Sequence, residues 1–290
     1  MVAWFHPFAG IAGDMALGAL VDAGAQVDEV TSLLSRLPVD GWQVEAQQVM
    51  RGGLACTQLV VKAHDETTAR TYKDILTILA AAGYPQRLAE RAHAVFAALA
   101  RAEGRLHGMA PEDVHFHEVG SLDTIIDVVG TCAALEVLGV DEVRSGPVTL
   151  GLGTVHAAHG RLPNPAPAVV KLLEGAPIAG TAIDAELTTP TGAALLAALC
   201  SHWGPAPGMV LRASGFGAGT MDLAGMPNAT HVIIGELFSQ APTTPADHLG
   251  PHDHRRPALP GEGHDHRRPA LPGEGHDPAL SPENLVGTTG

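Results

Sequence analysis

From residue 1 to about residue 238 the chain alternates short extended patterns with helical ones, and this alternation limits the fold more than any single motif does. Residues 2–6 read as a strand, and Gly10-Ile11-Ala12-Gly13-Asp14 opens a helix running to about Ala23. Residues 42–50 and 54–63 read as two strands, the second rich in β-branched side chains. Helices are expected over residues 71–82, 85–107, 121–138, 165–174 and 190–200. Pro85 opens the second of these, and Thr189 caps the last ahead of Pro190. Further strands are expected over residues 143–150, 210–216 and 230–237. The mixture predicts an α/β fold, or its α+β variant, with a mixed sheet and packed helices. Strand order is not contained in such a pattern.

After about residue 240 the composition changes. Residues 252–263 recur letter for letter over residues 264–275, and a third copy begins at His276. The unit is rich in Pro, Gly and charge and poor in bulky apolar side chains, so it cannot bury enough surface to offset chain entropy. The expected organisation is a globular region over residues 1–240 and a disordered tail over residues 241–290. Each full unit opens with His-Asp-His, which can hold a metal loosely; a repeat-expanded linker is the alternative.

The net charge of −14 argues against a nucleic-acid or anionic-membrane partner and suits a chain that attracts cations. Cys56, Cys132 and Cys200 are far apart and form no CxxC pair, which fits thiols in a reducing compartment. Residues 1–4 carry no basic leader pattern, and no apolar run approaches the ~20 residues of a membrane span. The expected location is the cytoplasm.

The chemistry-bearing stretch is His115-Phe116-His117-Glu118 followed by Asp123 and Asp127, which sets two imidazoles and three carboxylates within 13 residues. In an extended segment His115 and His117 share a face. On the following helix, Asp123 and Asp127 stand one turn apart, a spacing mildly unfavourable for like charges unless water or a cation lies near. Imidazole with carboxylate suits a borderline divalent metal such as nickel or zinc. The competing reading is a solvated stripe, with Asp123 favoured by the helix N-terminus. His156 and His159 lie in a Gly/Pro-rich loop, and on their own they read first as ordinary loop histidines. Gly10 and Gly13 at one helix start, and Thr189 and Thr191 at another, offer N–H and hydroxyl groups to a phosphate. Asp14 also reads as a helix cap, Glu186 reads first as a surface residue and second as a base or ligand, and Gly215-Phe216-Gly217-Ala218-Gly219 reads by default as a tight turn.

Four segments together resemble the nickel insertion protein family, LarC: residues 5–14, the 115–127 stretch, His159-Gly160-Arg161-Leu162-Pro163-Asn164-Pro165-Ala166-Pro167-Ala168, and Glu186-Leu187-Thr188-Thr189-Pro190-Thr191-Gly192. The 215–219 segment with Pro227-Asn228 makes a fifth. The resemblance implies a cyclometallase of the lyase class. Such an enzyme inserts nickel into pyridinium-3,5-bisthiocarboxylic acid mononucleotide with CTP, and so makes the nickel-pincer cofactor of lactate racemase-type enzymes. Members of the family continue into a C-terminal domain that binds CTP with Mg or Mn. The chain therefore looks like an N-terminal part that works with a C-terminal LarC half and serves a lactate racemase-type apoenzyme; a homo-oligomer is left open. From the chemistry of the residues, His115, His117, Asp123, His159 and His6 are the candidate nickel ligands, and Glu118 and Asp127 the candidate bases. Two alternatives stand beside this reading: a non-enzymatic nickel chaperone or store, and a metal-dependent hydrolase.

Overall fold

Strand β1 (Val2–His6) is apolar on both faces, with Val2, Ala3, Trp4 and Phe5 all buried, as expected of a strand at the centre of a sheet. In chain order there follow α1 (Gly13–Asp22), α2 (Val27–Leu34), β2 (Trp42–Arg51), β3 (Leu54–Ala63), β4 (Arg70–Thr71), α3 (Tyr72–Ala81) and α4 (Gln86–His107). Next come a 3-10 turn (Pro111–Asp113), β5 (His115–Phe116), α5 (Leu122–Val137), β6 (Glu142–Ser145), β7 (Val148–Leu150), β8 (Thr154–Ala157) and β9 (Gly160–Pro163). The last elements are α6 (Pro167–Leu172), β10 (Ile178–Gly180), α7 (Pro190–Leu199), β11 (Cys200–Trp203), β12 (Met209–Ala218) and β13 (Ala229–Leu237). The computed structural model describes residues 1–63, 70–116, 119–157 and 160–238, all within one unit, Met1–Ala241. The tail expected over residues 241–290 lies outside the described residues.

Seven strands form one mixed sheet in the order β11-β6-β1-β13-β12-β3-β2. β11, β6 and β1 run parallel, β13 is antiparallel to both β1 and β12, and β3 meets β12 in parallel through Gly217 and Thr57. Ala3, Phe5, Val232 and Ile234 point to one face and join Leu17, Leu20, Ile125 and Val129 of the helices in the core. The expectation of a mixed sheet with packed helices holds.

Helix α1 lies directly on the backbone of β12. A Cβ at Gly217 would overlap the carbonyl oxygen of Met15, one at Gly215 would overlap that of Ala19, and one at Gly18 would sit 2.6 Å from the carbonyl oxygen of Thr57. Residues 215–218 are therefore strand interior and not the tight turn expected. Their glycines mark a place where another backbone comes close. The C-terminal end of α1 is pinned to the same strands. Asp22 accepts a hydrogen bond from the Thr57 hydroxyl at 2.6 Å and another from the Phe216 N–H at 2.8 Å.

Helix α5 is buried on most sides, including Gly130 and Ala134 on the stripe that contains Asp123 and Asp127. A Cβ at Gly130 would meet Leu17 at 2.8 Å, so α1 covers the lower part of that stripe and only its Asp123 end is exposed. Two other expectations change. Residues 143–150 are not one strand: the chain breaks at Gly146-Pro147, β6 stays in the main sheet, and β7 pairs with β10. The Gly/Pro-rich loop near His156 contains a hairpin, β8 with β9.

Gly217→Ala should remove the seating of α1 and cost more than about 3 kcal/mol, the range of a severe overpacking error. Gly180→Ala, where an added Cβ meets nothing within 4 Å, should change stability by less than about 0.5 kcal/mol. Urea unfolding of the two variants measures the difference.

Candidate active site at the start of the first helix

The chain leaves β1 through Pro7–Ala12 and enters α1 at Gly13. The Pro7 carbonyl accepts from the Gly10 and Thr149 N–H groups at 3.1 and 3.2 Å, and the Gly10 carbonyl accepts from the Thr230 hydroxyl at 2.8 Å. Gly10 has φ +89°, and a Cβ there would overlap the Leu187 carbonyl. Ile11 bridges to Thr188, and its carbonyl accepts from the Thr189 N–H at 3.1 Å. Thr189 then caps α7 by accepting from the Gly192 N–H at 3.3 Å. A Cβ at Gly192 would overlap the Ile11 carbonyl. The starts of α1 and α7 are thus locked side by side, each a partial positive pole.

Asp127 reaches this junction from α5. A Cβ at Gly13 would lie 2.6 Å from its Oδ2. Its carboxylate accepts from the Asp14 N–H, while the Met15 N–H donates to Asp14 Oδ1 at 2.8 Å. Oδ1 of Asp127 is buried and has no hydrogen-bond partner among the described residues. Burial pushes the Asp127 carboxyl well above its usual range, and the charges of Asp14 and then Asp123 push it the same way. Burial also raises Asp14 to about 6, against the pull of the Met15 and Asp14 N–H groups. Carboxyls raised like this keep their protons closer to neutrality than ordinary ones do, the condition for acid–base work.

Beside the junction lies a cavity of about 300 Å³ between the end of α4, the β8–β9 hairpin and the starts of α6 and α7. Its lining is mainly apolar, with Val119 and Pro190 among the walls, and its polar members are Glu103, His107, His156 and Glu186. His107 Nε2 lies 3.3 Å from Glu103 Oε2, one helical turn back. Glu186 and Pro190 bracket the residues that lock the Gly10–Ile11 turn, so one wall of the cavity is continuous with the junction.

The other expected site residues are distributed as follows. His115 is exposed on β5, opposite Thr71. Asp123 is exposed in the first turn of α5. His6 is half-buried against Trp4 and Phe8, with ring centroids at 5.1 and 5.6 Å. Thr191 is buried. His117, Glu118 and His159 lie outside the described residues. Among the described residues, no group of three or more His, Cys, Asp or Glu side chains is placed to hold a metal ion. The structure brings Asp127 together with Asp14 and Asp123.

Sequence reasoning passed over Asp14, Glu103 and His107. Only the Glu103/His107 pair carried a local signal, its i,i+4 spacing on a helix. Asp14 is defined by a partner more than a hundred residues away. Because each carboxyl is raised, the pair favours the fold at low pH, a contribution that Asp14 loses as pH rises through about 6 and that Asp127 also loses as pH rises above the ordinary carboxylate range. Asp14→Asn and Asp127→Asn should therefore each stabilise the protein at pH 7.5, on the order of 1–2 kcal/mol, and flatten the decline between pH 4 and 7. Thermal melts across that range test this.

The nickel insertion protein family matches residues 3–255. A nickel insertion protein of Thermomicrobium roseum is 48% identical over 241 residues, which is 82% of this chain and 59% of that protein. One of Syntrophobacter fumaroxidans is 45% identical over 234 residues, 81% of this chain and 60% of that protein. A third, of Roseiflexus castenholzii, is 46% identical over 237 residues. The chain thus spans about 60% of the length of these relatives. No solved structure matches it, and among the described residues no helix is long and apolar enough to cross a membrane. By the extent of these matches, the chain belongs to the nickel insertion protein (LarC) family.

Proposed function

We propose that this chain performs the carbon–metal step of nickel insertion into pyridinium-3,5-bisthiocarboxylic acid mononucleotide, a lyase-type cyclometallation that yields the nickel-pincer cofactor of lactate racemase-type enzymes. The observation that carries the proposal is the half-buried Asp14/Asp127 pair beside an apolar cavity. Forming a nickel–carbon bond at a pyridinium ring expels one ring proton as Ni(II), the substrate metal, takes its place. A carboxylate whose pKa lies near the working pH is suited to accept that proton, and Asp14 is raised to about 6. Asp127, also raised and hydrogen-bonded by the Asp14 N–H, is the second proton-handling carboxyl of the pair.

The apolar walls around Val119 and Pro190 suit a flat aromatic ring, and Glu103 and Glu186 offset its positive charge. The first-turn N–H groups of Asp14 and Met15 are already engaged by carboxylates. That favours the α7 start, with Thr189 and Thr191 next to the cavity-lining Pro190, as the holder of the substrate phosphate. Glu118, outside the described residues, is kept as a second candidate base, and His115, His117, His159 and Asp123 as candidates for handling nickel. CTP with Mg or Mn is assigned to a C-terminal LarC half acting with this chain. The tail repeats, with their His-Asp-His openings, would raise the local nickel concentration.

The test is nickel transfer to the pyridinium dithiocarboxylate mononucleotide in the presence of CTP and a C-terminal half. Asp127→Asn and Asp14→Asn should each slow cofactor formation by roughly 10²-fold or more, the usual contribution of general base catalysis, while the fold survives. Wild-type rates in both variants would refute the assignment of the base.

A further inference from the structure

The face of the sheet opposite the helices carries a pair of imidazoles that the chemistry above does not use. His6 is the last residue of β1 and stands directly across from His231 of β13. Directly opposed residues on antiparallel strands point to the same face, with Cβ atoms about 4.5–5.5 Å apart. Trp4 and Phe8 flank His6 on this face. Phe216 stacks on His231 with ring centroids at 4.3 Å and an interplanar angle of 10°. Both histidines are half-buried. Neither imidazole makes a hydrogen bond or ion pair among the described residues.

We infer that His6 and His231 form a two-imidazole landing site for a borderline divalent cation of the nickel class. The ladder between β1 and β13 fixes the spacing of the two side chains, and the stack on Phe216 restrains one ring. Imidazole suits nickel, whereas magnesium and calcium prefer oxygen. Two protein ligands leave most of the coordination shell open, so the ion is held without being trapped. His6 is followed at once by the Pro7–Ala12 turn into Gly13 and Asp14, which sets the landing site next in chain to the proposed base. The inference deepens the proposed function by saying where the metal is received, and it can fail independently of that function.

The experiment titrates the full chain with Ni(II) alone and follows tryptophan emission, because the Trp4 ring lies 5.1 Å from His6. Nickel should quench the wild type in a saturable phase that is absent from Trp4→Phe and not reproduced by magnesium. His6→Gln, and His231→Phe, which keeps a ring on Phe216, should each weaken this phase roughly 10- to 100-fold. Asp127→Asn should leave it intact. Titrations of His6→Gln and His231→Phe that superimpose on the wild type would overturn the inference. A second measurement needs no variant: nickel should protect His6 and His231 of the unmutated chain from acylation by diethyl pyrocarbonate, read peptide by peptide. Equal modification of both with and without nickel would also overturn it. Nickel bound here without cofactor formation would count against the proposed function only.

Discussion

The seating of α1 on the bare backbone of β12 is the contact on which the rest of the site depends. Helices usually meet sheets through interdigitating side chains. Here Gly18, Gly215 and Gly217 let backbone meet backbone, and Asp22 fastens the far end to Thr57 and Phe216. A helix held that close cannot slide, so its first residues are fixed as well. Gly13 can accept the Asp127 carboxyl at close range only because it has no Cβ of its own.

That placement gives up stability for chemistry. Two carboxyls share a half-buried junction of helix starts, with one oxygen of Asp127 left without a partner among the described residues. The helix poles and the Asp14 N–H soften the repulsion but do not remove it, since both carboxyls remain raised. Strain of this kind persists only where the surroundings over-determine it. The surroundings here are the Gly10–Leu187 and Ile11–Thr188–Thr189 contacts, which fix two helix starts at once. The same contacts set one wall of the cavity, so proton-handling groups and binding space share a frame.

Much of this was legible in the sequence. Pro190 after Thr189 announced α7 and its cap, and the apolar face of α5 was plain from its spacing. The mixed sheet followed from the alternation of elements. What stayed hidden depended on partners distant in the chain. Asp14 looks like a helix cap until Asp127 arrives from α5. Gly215 and Gly217 look like a turn until α1 is laid over them. His231 gains meaning only when β13 pairs with β1. Helix α2 escaped because it is short and its Gln26 makes no side-chain cap, and the β8–β9 hairpin because its Gly and Pro content reads as loop. Conversely, the His115 stretch that dominated the sequence lies partly outside the described residues, and its described imidazole is exposed.

Carbon-detected NMR titration of the Asp14 and Asp127 carboxyls tests the central claim most directly. The two signals should both titrate above the ordinary carboxylate range, Asp14 near pH 6 and Asp127 above that range as well, with Asp14→Asn lowering Asp127 by removing a neighbouring charge. Two independent single-step titrations, both near pH 4, would contradict the account, because carboxyls that ionise freely are neither buried together nor poised to take a proton from a substrate.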